Sequence, residues 1–355
     1  MIDSTIYPYI LEPKETPAIW GGGALVTRFG KSGDPNAKIG ESWECWDTNT
    51  VSNGSLAGST IADLRAKLGV KLLGTIDASR PFPVLTKIID ARDWLSVQVH
   101  PDDAYAERVE HQPNGKTECW YVFSAQADSE LVLGWTRATT REEYERRVAD
   151  GTLGEILRHV PVKAGDAFYL PAGTLHAIGS GIILFETQQA SDLTYRIFDW
   201  NRIGSDGKPR ELQVSKAADV LDYRAGTGGA IDRLDYRFEN LDRTALIADR
   251  RFIVERITAG TEPASLATQD RPLIIMALEH PLQVGANGVE VALNAYQTAL
   301  VPAAAERCCI SAARDFAGFM FVTPPASIET YVAQLLAAGL EQSKIDGFVA
   351  QFHGA

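Results

Sequence analysis

The run S-V-Q-V-H-P, residues 96–101, alternates polar and apolar residues as a half-buried strand does, which puts Ser96, Gln98 and His100 on one face. A hydroxyl, an amide and an imidazole side by side make poor core and a good wall for a metal ion or a polar substrate. Two later segments carry the complementary groups. G-K-T-E, residues 115–118, ends on Glu118, and G-D-A-F-Y-L-P-A-G-T-L-H, residues 165–176, ends on a second imidazole, His176. Gln98, His100, Glu118 and His176 together offer an amide oxygen, two imidazoles and a carboxylate. That set suits a zinc-like divalent ion with a position left for water or substrate. A lone strand histidine is usually structural; the combination is what points to a metal.

The rest of the chain must position these groups. With 355 residues, 45% apolar and 23% charged, it has the composition of a globular protein of two or three compact units. Cys45, Cys119, Cys308 and Cys309 show no C-x-x-C spacing, which argues against a disulfide framework or a cysteine zinc site. The net charge of -12 disfavours nucleic acid and anionic membranes as partners. No apolar run reaches the roughly 20 residues of a membrane span, and the first residues lack the pattern of a secretory leader, so the expected location is the cytoplasm.

Short strand-like runs separated by Gly and Pro dominate. Trp20, Trp43, Trp46 and Glu44 lie in Gly-marked strand edges of the first fifty residues, where buried packing is the preferred reading over ligand contact. The spacing predicts helices over 59–73, 101–111, 139–158 (one or a pair) and 327–339, and two strands flanking a turn at 90–93. Polar and Gly-rich pieces at 203–230 read as a linker. An echo links G-D-A-F-Y-L-P-A-G, from Gly165, with Y-Q-T-A-L-V-P-A-A, from Tyr296, but Glu306 and no histidine follows the second copy. The echo predicts two β-barrel units of one kind, of which only the first keeps metal-binding residues.

The pattern G-x5-P-x-G-x2-H, met by Gly165, Pro171, Gly173 and His176, resembles the second motif of the cupin β-barrel. Beyond it, P-A-I-W-G-G-G-A-L, I-G-E-S-W-E, residues 87–101, G-K-T-E-C-W-Y, L-P-A-G-T-L-H-A-I-G-S-G and E-T-Q-Q-A-S-D-L-T-Y-R-I-F-D-W-N-R occur in an order that resembles the type I mannose-6-phosphate isomerases, especially their shorter bacterial branch. The resemblance spans about residues 5–320. It implies a mainly β fold of two cupin-type (jelly-roll) barrels with a few added helices: a catalytic domain at 1–225, a degenerate second barrel at 226–325 and a helical tail at 326–355. The tail has no counterpart in the short members. Pro-Ala stands before Trp20 where many relatives have a charged pair, and Ile178 stands where longer relatives carry an aromatic.

The resemblance also implies one Zn2+ per chain, or another divalent ion, on Gln98, His100, Glu118 and His176. It implies an active-site arginine at Arg196 and substrate-site residues at Ser96, Lys87, Lys116, Glu186 and Arg202. The implied reaction interconverts mannose 6-phosphate and fructose 6-phosphate through an enediol. Arg196 would stabilise its negative charge, Glu186 would carry the proton with Lys116 or a metal-bound water as alternatives, and Ser96, Lys87 and Arg202 would hold the phosphate. The rivals are an isomerase of another or an unphosphorylated sugar and a non-catalytic sugar-phosphate-binding regulator. An oxygen-activating iron cupin fits the glutamine in the ligand set poorly. The implied state is a monomer or a homodimer.

Overall fold

A computed structural model describes residues 4–204, 207–314, 316–324 and 327–353. The fold is mainly β, two antiparallel two-sheet units with short helices between strands. By contacts the chain groups 15–42 with 87–231, and 1–14 and 43–86 with 232–354.

In the site-bearing unit the larger sheet runs Gly229–Ala230, Ala167–Leu170, Glu118–Ala125, Ile182–Gln189, Val84–Ala91, Lys14–Gly22 and Ile39–Cys45. The smaller runs Tyr195–Phe198, Val97–Val99, His176–Ile178, Glu130–Trp135 and Leu157–Pro161. One core cluster includes Trp20, Ile89, Trp120, Leu133, Phe168 and Ile178. The opposite face of the smaller sheet buries Val97, Val99 and Ala177 with Trp135 and Tyr144. Strand alternation therefore sends the valines of 97–99 one way and Ser96, Gln98 and His100 the other.

The predicted helices are present with sharper boundaries. Thr60 and Asp63 form a reciprocal cap on Ile61–Leu68, and Gly69, at φ 50°, separates it from Val70–Leu73. Asp102 caps Asp103–Tyr105, a wider turn continues over Ala106–Glu110, and His111 ends it at φ 55°. Residues 139–158 divide into Arg141–Ala149 and a 3-10 turn, Leu153–Ile156. Helices Ile328–Ala337 and Gln342–His353 fill the C-terminal segment; residues 326, 354 and 355 of the predicted tail lie outside the described residues.

The expected linker at 203–230 is a correction: it carries helix Val214–Val220, which buries Ala217 and Ala218, and strand Gly229–Ala230, paired to Tyr169 and Phe168. Its short alanine stripe was too brief to register as helical periodicity against the surrounding Gly and polar residues.

The Pro-x-Gly turn works as its sequence pattern requires. Gly173 sits at φ 87°, where a Cβ would lie 2.9 Å from the Val220 carbonyl oxygen, and its N–H donates to the His100 carbonyl at 2.9 Å. Gly115 has the same closeness for another reason: a Cβ there would stand 2.4 Å from the Pro101 oxygen and 2.3 Å from the Asp102 carbonyl carbon. The next N–H, of Lys116, donates to that Pro101 oxygen at 2.9 Å, so this contact fixes the segment 115–118 against His100. Gly115→Ala is expected to destabilise the protein by about 1–3 kcal/mol, read as a lower urea midpoint, and to weaken divalent-ion binding although no donor is changed.

Candidate active site

Strand pairing assembles the site. On the smaller sheet His176 lies opposite Gln98, and Gln98 lies opposite Arg196, so the three share one face in a row across neighbouring strands. On the larger sheet Glu118 lies opposite Gln188, and Trp120 opposite Glu186. Strand Val84–Ala91 adds Lys87, which is buried.

Each histidine donates through Nδ1 to a backbone carbonyl, His100 to Leu193 at 2.8 Å and His176 to Thr174 at 2.9 Å. Burial, with Lys116 adding to it, lowers the His100 pKa to about 3, and burial lowers that of His176. Both rings are therefore neutral, with the Nε2 lone pair turned inward. Those lone pairs face a carboxylate: His176 Nε2 stands 3.2 Å from Glu118 Oε1, and His100 Nε2 3.5 Å from Glu118 Oε2. The Gln98 amide lies 3.1 Å from His176 Nε2.

Neither Glu118 oxygen receives a well-aligned hydrogen bond, although both are buried. Burial opposes the charge on Glu118, but Lys116, with its Nζ 2.8 Å from Oε2, and the two histidines hold its pKa well below the usual range. The ligating atoms of His100, Glu118 and His176 all lie within 4.8 Å of one another. Donors bound at about 2.1 Å to one tetrahedral ion stand about 3.4 Å apart. The two separations from Glu118, 3.2 and 3.5 Å, match that spacing, and lone pairs converging around an unsatisfied carboxylate fit a divalent cation, with Gln98 Oε1 brought inward by an amide rotation.

Beside this cluster is a cavity of about 330 Å3. Ser96, Gln98, Lys87, Lys116, Glu186 and Arg196 line it, together with Trp20, Glu41, Asp192, Thr194 and Arg210. Lys87 Nζ stands 3.1 Å from Glu186 Oε1 and 3.4 Å from Glu41 Oε2. Burial works against the Lys87 ammonium, and the carboxylates of Glu186, Glu41 and Glu118 outweigh it, raising its pKa. Glu186 Oε2 accepts the Trp120 indole N–H at 2.8 Å, and burial raises the Glu186 pKa despite Lys87. Arg196 donates through Nη1 to the Glu211 carbonyl at 3.0 Å, while its Nε is buried without a partner.

Arg202 is not brought to this cavity. Its guanidinium is taken up by Asp199, with Nη2 2.5 Å from Oδ1, and by the Trp94 carbonyl. Arg210 lines the cavity instead, its Nε held 2.7 Å from the other oxygen of Asp199. Nothing in the loop sequence around Arg210 signals this. Thr194 and Asp192 were legible in principle, since they continue the period-two face of Arg196. Trp20, read as packing, is both: it belongs to the core and forms part of the wall.

A mainly β protein of two paired-sheet units, with a buried His/Glu/His donor group beside a basic polar cavity, belongs to the class of cupin-type enzymes. The family described as "Phosphomannose isomerase type I, catalytic domain" matches residues 10–137. The mannose-6-phosphate isomerase of Streptococcus mutans is 44% identical over 219 residues, 60% of this chain and 67% of that protein. The solved mannose 6-phosphate isomerase of Bacillus subtilis is 31% identical, with a TM-score of 0.80 over 89% of this chain and 99% of its own. A zinc-bound mannose 6-phosphate isomerase structure, 14% identical, shares the fold with a TM-score of 0.71 over 90% of this chain and 100% of its own. The chain belongs to the type I phosphomannose isomerase family.

The lone-pair geometry predicts that the purified protein binds one divalent ion and gains stability from it, about 2.7 kcal/mol at a free-ion level 100 times Kd. His100→Ala and His176→Ala are each expected to lose both the bound metal, measured by elemental analysis, and the zinc-dependent rise in Tm.

Proposed function

We propose that this chain interconverts mannose 6-phosphate and fructose 6-phosphate in the cytoplasm, with Zn2+ held by Gln98, His100, Glu118 and His176. The observation that carries this reading is the row His176, Gln98, Arg196, which sets an arginine beside the donor group on the wall of a cavity containing a buried carboxylate. When bound, the ion supplies a Lewis acid for the sugar oxygens.

The remaining work belongs to side chains of the cavity. Moving a proton between C2 and C1 passes through an enediol whose oxygens gain negative charge. Arg196, one of whose donors is unspent, is placed to stabilise that charge. Glu186 takes the proton from C2 and returns it to C1. Its elevated pKa makes it a stronger base than an ordinary carboxylate, and the indole of Trp120 fixes one oxygen. Lys116 is a second acid–base group facing the cavity. Lys87 is balanced by Glu186 and Glu41, so its duty is to hold Glu186. That leaves Ser96 and Arg210 for the phosphate, with Arg202 supporting Asp199, which in turn orients Arg210.

A coupled assay run before and after chelation tests the function: turnover of mannose 6-phosphate should vanish and return with zinc, and turnover that survives metal removal overturns the reading. Arg196→Ala is expected to lower kcat roughly 10²–10³-fold with an unchanged urea midpoint. Arg210→Ala should raise KM for mannose 6-phosphate about 10-fold or more, leave any activity on unphosphorylated mannose as it is, and exceed the effect of Arg202→Ala.

A further inference from the structure

The second unit repeats the strand order of the first, except that its smaller sheet has no counterpart of Tyr195–Phe198. Its larger sheet runs Tyr9–Leu11, Thr298–Val301, Leu273–Ala277, Ala317–Thr323, Phe252–Ala259, Leu241–Asp249 and Leu234–Phe238; its smaller runs Ala264–Ala267, Arg307–Ala312, Leu282–Ala286 and Val289–Leu293. Register then identifies equivalent positions. Leu170 and Val301 each precede the proline of the echoed turn; Glu118 pairs with Leu170, and Leu273 with Val301. Gln98 pairs with His176, and Leu266 with Cys308, with Thr268 following two residues on as His100 does. Leu266, Thr268, Leu273 and Cys308 therefore stand where the first unit has its four donors.

The loss of those donors has not closed the barrel's end. A cavity of about 240 Å3 remains there, lined by Leu266, Leu273 and Phe321 and by residues of helix Ile328–Ala337. At its wall is a buried ion pair, Arg243 Nη1 to Glu255 Oε2 at 2.9 Å. Glu255 is saturated, because the hydroxyls of Tyr236 and Tyr331 both donate to its other oxygen. Arg243 is not: its side chain is 3% exposed, its Nε has no partner, and its guanidinium lies 5.9 Å from the ring centres of Phe238 and Phe321. The unspent polar capacity is thus a donor, in a cavity of mixed lining where Leu266, Leu273 and Phe321 meet Glu239, Thr268 and Gln269, and an unmet buried donor is costly.

We propose that this second-barrel cavity is a binding site for a small monocarboxylate with a ring-sized apolar body, its carboxylate received by Arg243 and its body lying against Leu266, Leu273 and Phe321. The volume exceeds the roughly 150 Å3 of a cavity that admits benzene. The paired Glu255 disfavours a dianion such as a phosphate ester, so the site does not duplicate the substrate specificity of the first barrel.

Benzoate is the probe, followed by methyl NMR of the full-length, zinc-loaded protein. Saturable shifts are expected at Leu266 and Leu273, with benzyl alcohol and inorganic phosphate binding at least tenfold more weakly. Arg243→Lys should weaken benzoate at least tenfold. Thr330→Trp, a change at the exposed edge of the cavity that leaves the ion pair intact, should abolish the shifts while isomerase activity persists. Absence of saturable shifts at these leucines, equal binding of benzyl alcohol, tighter binding of phosphate, or benzoate binding unaltered in folded Thr330→Trp overturns the proposal.

Discussion

The structure of the site depends on one electrostatic constraint: Glu118, at 1% exposure, is an ionised carboxylate facing the lone pairs of two neutral imidazoles. Such a cluster is unfavourable unless positive charge enters it, because the carboxylate and the two Nε2 atoms can only accept, and the donors near them are the Gln98 amide at His176 and the Lys116 ammonium at His100. Lys116 supplies one charge at 2.8 Å, and a divalent ion would supply the rest. The surroundings follow from this need. Backbone carbonyls of Leu193 and Thr174 fix the tautomers, Gly173 lets the Pro-x-Gly turn pass beneath His100, and Gly115 holds the Lys116–Glu118 segment close.

A second balance sits beside the first. Lys87 is surrounded by Glu41, Glu186 and the field of Glu118, and the three acids outweigh its burial. The arrangement keeps Glu186 near a cation, yet burial leaves its pKa raised rather than lowered. A buried carboxylate that prefers a proton more than a surface one is suited to shuttling protons. The basic groups at the other side of the cavity, Arg196 and Arg210, are separated from Glu186 by function: Asp199 restrains Arg210, and Arg196 faces the row that contains Gln98.

Much of this was legible because strand alternation is local. Val97 and Val99 against Ser96, Gln98 and His100 declare their faces within five residues, and G-x5-P-x-G-x2-H encodes a turn whose glycine is needed for backbone reasons. What escaped the sequence depends on distant pairing. Glu41 reaches Lys87 only through the sheet, and Arg210 reaches the cavity only because Asp199 turns it there. Arg202 and Arg210 are chemically equivalent in sequence; the Trp94 carbonyl, more than a hundred residues away, captures one of them. The grouping of residues 43–86 with 232–354 is likewise invisible to a reading that cuts the chain at linkers.

The repeat explains how one framework sustains two chemistries. In both units the larger sheet carries a buried charged cluster, Lys87 with Glu186 and Glu41 in one and Arg243 with Glu255 and Tyr236 in the other. Converting the four donors to Leu266, Thr268, Leu273 and Cys308 removes the crowded lone pairs, so the second unit needs no cation to be stable. Its Glu255 receives a donor from the C-terminal helix as well, Tyr331, while Gln334 of the same helix donates to Tyr236 at 2.8 Å. The C-terminal helix thus adds a further donor, Tyr331, to a buried carboxylate that Arg243 and Tyr236 of the sheet already partner, and so completes a network that needs no cation.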